Sequence, residues 1–437
     1  MRQRVQITDA PPSDEDASRA AGLLSRTFSA LGHRNYRLLW VGTLISNTGD
    51  WLDQVALNWL VVSTSGSPFE LALVNLCRAV PILAFTLIGG AVADRVERRR
   101  MMMVTQSIAM LLAFALAAMV LSGHAPLWAV LVIATGRGIV ISFNLPARHS
   151  LIAELVPAAV LPNAVALNSL TINVTKIVGP ALAGLLIASL GTGICFLVNG
   201  LSFLVVIWTL HAMRFEETAR RVVSPEPLSR SIAEGLAYTW RDTTMLLLVL
   251  VALVPTFFGQ PYMTLLAVFA YDVFDIGPEG LGLLSSCAAA GAVGGALLLA
   301  AAPRWGASAL AMLVFLILFG VFLVGFSLAP ALWLALPLLF SVGATHIACS
   351  ASNNTLLQLR APDHMRGRIL SIMLLNRGLV QLGAATWAGL AGLIGVRQAM
   401  AGAGLTMLIL GGLILAFSRL GKPGPAEMPE PDGDPAN

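Results

Sequence analysis

Two carboxylates and four cations sit where a chain of this composition should carry none. Thr43, Ser46, Asn47, Asp50, Asp53, Gln54 and Asn58 recur at helical spacing. They fall within an arc of about 140° at 100° per residue, broken only by Leu57. Ile45, Leu52, Val55, Ala56 and Trp59 take the opposite face. Arg78, Arg137, Lys176 and Arg377 interrupt other apolar runs. A carboxylate in an apolar pocket holds a proton that it gives up beside a guanidinium. Moving one between those settings loads a proton on one side of a barrier and releases it on the other. Asp50 is the first candidate for that role, Asp53 the second, and Arg137 the expected partner. The competing reading is a structural ion pair locking the first, second and fourth helices. Arg377, with Asn376 and Gln381, makes a patch suited to a polar or anionic ligand. Lys176 shares a face with Ser169, Asn173 and Pro180. His346 reads as a buried neutral imidazole. Trp51, Trp59, Phe257, Phe258, Tyr262 and Trp387 read as packing residues ahead of an aromatic cavity lining.

The elements that must hold these groups follow from composition. Of 437 residues, 57% are hydrophobic and 11% charged, with mean hydropathy +0.80. A soluble domain carries roughly 25% charged residues. The solvent here is lipid, where a backbone satisfies its polar groups only in helices or closed barrels. The apolar runs are about 20 residues long and do not alternate, so helices are expected. They are placed near 36–63, 69–93, 101–122, 126–147, 163–189, 194–213, 244–271, 279–302, 307–328, 331–358, 367–394 and 398–419. With both termini inside, 22 of the 27 lysines and arginines fall in inner segments, Arg148 among them, and one, Arg397, falls outside. That asymmetry sets the orientation. The expected fold is an all-α membrane protein of 12 transmembrane helices in two six-helix repeats, 36–213 and 244–420. A cytoplasmic loop, 214–243, joins them, and disordered cytoplasmic tails, 1–35 and 421–437, flank them. An offset of 205 residues superposes the halves: Gly89-Gly90 on Gly294-Gly295, Arg99 on Arg304, Pro157 on Pro362, Gly184 on Gly389.

The run GGAVADRVERRR, Gly89–Arg100, ends an apolar stretch in a knot of charge. Its Gly90, Asp94-Arg95 and Arg98-Arg99 resemble the signature loop between the second and third helices of the major facilitator superfamily. Glu97 stands where that pattern usually has Gly. SNTGDWLDQVALNWLV, ELVPAAVLPNAVALNS, GPALAG and RAPDHMRGRILS resemble the branch that holds the enterobactin exporter and macrolide-efflux proteins. The resemblance implies a latch. Asp94 would meet the start of the eleventh helix near Gly367, with Arg95 and Arg99 in a charge relay, closing the cytoplasmic side. Arg98 and Arg100 serve that relay or anchor on anionic lipid. The second half has Leu299 where the first has Asp94, so the latch is one-sided. Gly179-Pro180-Ala-Leu-Ala183-Gly184 resembles the superfamily's exporter motif, with Ala183 and Thr175 in place of glycines. Pro180 frees a carbonyl and bends its helix, which suits a hinge of Gly179, Pro180 and Gly184.

No phosphate-binding Gly-x-x-x-x-Gly-Lys-Ser/Thr run occurs, so ATP hydrolysis is unsupported. No nucleophile–base set or metal spacing is visible, and the four cysteines lie far apart in apolar runs. The reading is therefore not an enzyme and has no cofactor, metal or nucleic-acid partner. It is a monomer in the bacterial cytoplasmic membrane. It is expected to export a siderophore-like or drug-like small molecule by alternating access and proton antiport. An importer or lipid-handling facilitator of the same fold is the alternative, and a non-transporting scaffold or sensor the more distant one.

Overall fold

A computed structural model describes residues 29–93, 95–157, 159–214, 240, 242–360 and 376–417. Among them run twelve long helices. The first six are α1 (Arg34–Ser65), α2 (Pro68–Ala93), α3 (Arg98–Leu121), α4 (Leu127–Leu155), α5 (Leu161–Leu190) and α6 (Thr192–Ala212). The other six are α7 (Thr244–Val273), α8 (Gly277–Ala301), α9 (Ala309–Leu328), α10 (Leu332–Arg360), α11 (Asn376–Ile394) and α12 (Val396–Phe417). Ten of them are long and apolar enough to cross a membrane. The two that fall short are α1 and α11, the helices with the polar stripe and the Asn376, Arg377, Gln381 patch.

Helix ends follow local chemistry. Gly66 stops α1 in the left-handed region, φ 63°, and its N–H donates to Val62 O. Asp242 starts α7 by accepting from the N–H groups of Thr244 and Met245. Arg397, in the first turn of α12, donates to the carbonyls of Ser327 and Ala329 at the end of α9. Within α7, Pro255–Gly259 and Phe269–Val273 are π-helical turns, a device that often marks working sites.

The packing repeats. α2 lies on α4 as α8 lies on α10. α3 meets α4 and α6 as α9 meets α10 and α12, and α1 meets α5 and α6 as α7 meets α11 and α12. Between the two sets, α2 crosses α11 and α5 crosses α8. Glycines set the intimate crossings. A Cβ on Gly138 of α4 would sit 2.6 Å from the Arg78 carbonyl oxygen of α2. One on Gly343 of α10 would overlap the Ala288 carbonyl oxygen of α8. Those glycines are 205 residues apart, the offset read from the sequence.

One boundary differs with consequence. α4 runs to Leu155 rather than 147, so Arg148, His149 and Glu154 lie in the helix and not in an inner loop. Arg148 is buried there.

Candidate functional site

The charged groups gather where α1 faces α2 and α4. Arg137 and Arg148 are eleven residues apart, three turns, and so share one face of α4. Arg137 forms an ion pair with Asp53, both side chains nearly excluded from solvent. Arg148 Nη1 donates to Asn47 Oδ1 at 3.1 Å. From α2, Arg78 Nη1 donates to Gln54 Oε1 at 2.6 Å, and Gln54 Nε2 reaches Asn58 Oδ1 at 3.4 Å. The order of contacts makes α1 and α4 antiparallel. Arg137 has Asp53 as its ion-pair partner and acts on Asp50 through its field.

Asp50 is different. It lies halfway along α1, is exposed, and has no ion pair among the described residues. It sits in the combined field of Arg137, Arg148, Arg377 and Arg78. Arg377 reaches it from α11 and is itself exposed. Among the described residues, Asp53 Oδ1, Arg137 Nη2, Arg78 Nε and Arg148 Nε have no hydrogen-bond partner. Uncompensated polar atoms at such burial are costly.

Lys176 is not part of this group. It lies on α5 within electrostatic range of His346, beside the point where Ser286 Oγ of α8 donates to Ile177 O at 3.5 Å. His346 is buried against the Phe319 ring, centroids 5.2 Å apart. The hinge residues are clamped from both sides. Gly179 packs on Trp51 of α1, and a Cβ on Gly184 would lie 2.7 Å from Gly282 Cα and 2.9 Å from the Pro278 carbonyl oxygen of α8. Near the same end, a Cβ on Gly392 of α11 would meet Phe69 of α2 at 3.5 Å, and Trp59 meets Tyr271 at 5.8 Å between ring centroids.

Of the signature-loop residues, Asp94 and its implied partner Gly367 lie outside the described residues. Gly90 is buried and Arg95 exposed. Arg98 pairs with Glu154 at the end of α4. Arg99 donates to the Leu210 and His211 carbonyls, 2.8 and 3.1 Å, at the end of α6. The basic knot thus ties α3 to two helix ends. Arg100 ends an apolar groove of about 470 Å³ lined by Val92, Val104, Ile108 and Phe143.

Sequence reasoning missed Arg148 and Glu154. The eleven-residue spacing from Arg137 was the available signal for the first; a partner 56 residues away leaves none for the second.

The chain matches the family described as transmembrane secretion effector over residues 25–431. It is 27% identical over 341 residues to the staphyloferrin A transporter of Staphylococcus aureus, covering 77% of this chain and 84% of that one. It is 29% identical over 391 residues to the multidrug efflux pump Tap of Mycolicibacterium fortuitum, covering 88% and 95%. A macrolide efflux protein of Streptococcus pyogenes is 24% identical over 61% of this chain and 67% of its own. In fold, the chain resembles an inward-facing bacterial homologue of the lysosomal transporter Spinster, with TM-score 0.70, 16% identity and 87% and 96% coverage. It also resembles the nucleoside transporter NupG, with TM-score 0.67, 12% identity and 89% and 100% coverage. This chain is a transporter, not an enzyme, and belongs to the transmembrane secretion effector family of the major facilitator superfamily.

Proposed function

We propose that this protein exports a small amphipathic molecule, siderophore-like or drug-like, from the cytoplasm by alternating access in exchange for protons. All twelve helices are spans in this reading, and both chain ends are cytoplasmic. The bundles 36–213 and 244–420 rock against each other. One observation carries the proposal: Asp50 is exposed in the middle of a helix whose other polar residues are mostly buried. A carboxylate in the apolar part of a membrane is costly unless it faces a cavity or a partner. In this reading the Gly184–Gly282 contact lies on the outer side, so Asp50 is reached from the inside. Rocking would part that contact. The similarity to a multidrug efflux pump and a macrolide efflux protein supports export.

The test uses purified protein in liposomes that enclose a pH dye. A gradient of each compound from a siderophore and drug panel is imposed on wild type and Asp50→Asn. Compound-driven proton flux in wild type and its loss in Asp50→Asn is the expected result. Equal flux in both would remove Asp50 from coupling. Flux with no compound would leave the transporter fold without the export assignment.

A further inference from the structure

Resting on the export reading, we infer that the substrate is an organic anion with at least two negative charges. The chemistry is that of the charged cluster where α1 faces α2 and α4, with Arg377 of α11 in electrostatic range. Four guanidiniums, Arg78, Arg137, Arg148 and Arg377, surround two carboxylates, Asp50 and Asp53. Asp53 is spent on Arg137. Asp50 remains to answer Arg78, Arg148 and Arg377, and among the described residues of this cluster the excess is two positive charges. Arg78 and Arg148 are nine-tenths buried, and each keeps an Nε–H without an acceptor. Each donates to a neutral amide oxygen, of Gln54 or Asn47. Guanidiniums held this way are pre-organised for carboxylate, which they bind in bidentate fashion. A buried cation without a counterion costs several kcal/mol, and an entering dianion removes that cost. A cationic compound would add to it.

This makes Asp50 a resident stand-in for the substrate. It holds the arginine field while no substrate is bound and yields it to an incoming carboxylate. A proton on Asp50 then favours the anion rather than competing with it. The mutual exclusion that antiport requires must therefore come from the change of conformation. Expulsion of a dianion also runs with an inside-negative potential, each charge contributing about 2.3 kcal/mol per 100 mV.

The sign of the Asp50 effect tests the inference. Wild type, Asp50→Asn, Arg148→Gln and Arg377→Gln are placed in nanodiscs and titrated by anisotropy with calcein, a polycarboxylate dye, and with ethidium, a cation. Calcein should bind wild type, bind Asp50→Asn more tightly, and lose at least about tenfold in affinity in Arg377→Gln, the worth of one charge-assisted contact. Arg377 is exposed, so that variant keeps the protein folded even where Arg148→Gln does not. Ethidium binding that Asp50→Asn weakens, with no calcein binding, overturns the anion and leaves export standing. Calcein binding indifferent to Arg377 also overturns it. Calcein binding of the expected pattern without flux of either dye in liposomes sustains the anion site and overturns the export reading beneath it.

Discussion

The two six-helix sets share one packing plan and differ in what they place inside it. At the 205-residue offset, Asp50 answers to Pro255, Asp53 to Phe258, Arg78 to Leu283, Arg137 to Val342 and Arg148 to Asn353. The first set holds paired and unpaired charge. The second holds rings: Phe257 on Phe258 at 5.1 Å, Phe258 on Trp387 at 5.9 Å, Phe319 on Tyr262 at 6.3 Å. The glycines at the helix crossings occur in both. Features common to both sets are those the fold needs, because backbone approach cannot be had otherwise. Features present in one set, the charges among them, are not required by the shared packing plan.

Breaking a shared feature should do the most damage. Gly343→Val drives a side chain into the Ala288 carbonyl, which has nowhere to move. The expected loss exceeds the about 1–3 kcal/mol typical of overpacking, and size-exclusion chromatography should show no monodisperse protein. Breaking the charged pair comes next. Arg137→Leu strands Asp53 and should cost about 3–5 kcal/mol, read as a fall in Tm. Replacing both members, Asp53→Leu with Arg137→Met, should restore most of that Tm, whereas no repacking rescues Gly343→Val. At the smallest end, Phe258→Leu trims an aromatic contact worth about 1 kcal/mol and should move Tm by a few degrees at most. A Tm loss at Phe258 equal to that at Arg137 would erase the contrast between the sets.

The helices were legible because lipid leaves long apolar runs no other structure, and the repeat because glycines and prolines recur at one offset. The pairing of charges was not. A helical wheel places Asp50 and Asp53 in one stripe, but their choice of partner depends on how α1 is turned toward α4. Arg148 was read as a loop residue because a span was given a membrane's length, whereas α4 continues eight residues beyond 147. Arg98 with Glu154, and Arg99 on the end of α6, join residues 56 and more than 100 apart, and no local pattern announces them.

The central claim is that Asp50 faces one side of the membrane at a time. A cysteine placed at Asp50 in a chain lacking Cys77, Cys195, Cys287 and Cys349 reports that directly through a membrane-impermeant thiol reagent. The account predicts labelling from the cytoplasmic side and little from outside. Adding Gly184→Leu, which blocks the contact with Gly282, should open the residue to the outside. Labelling from both sides before that change, or from neither side after it, would contradict alternating access around Asp50.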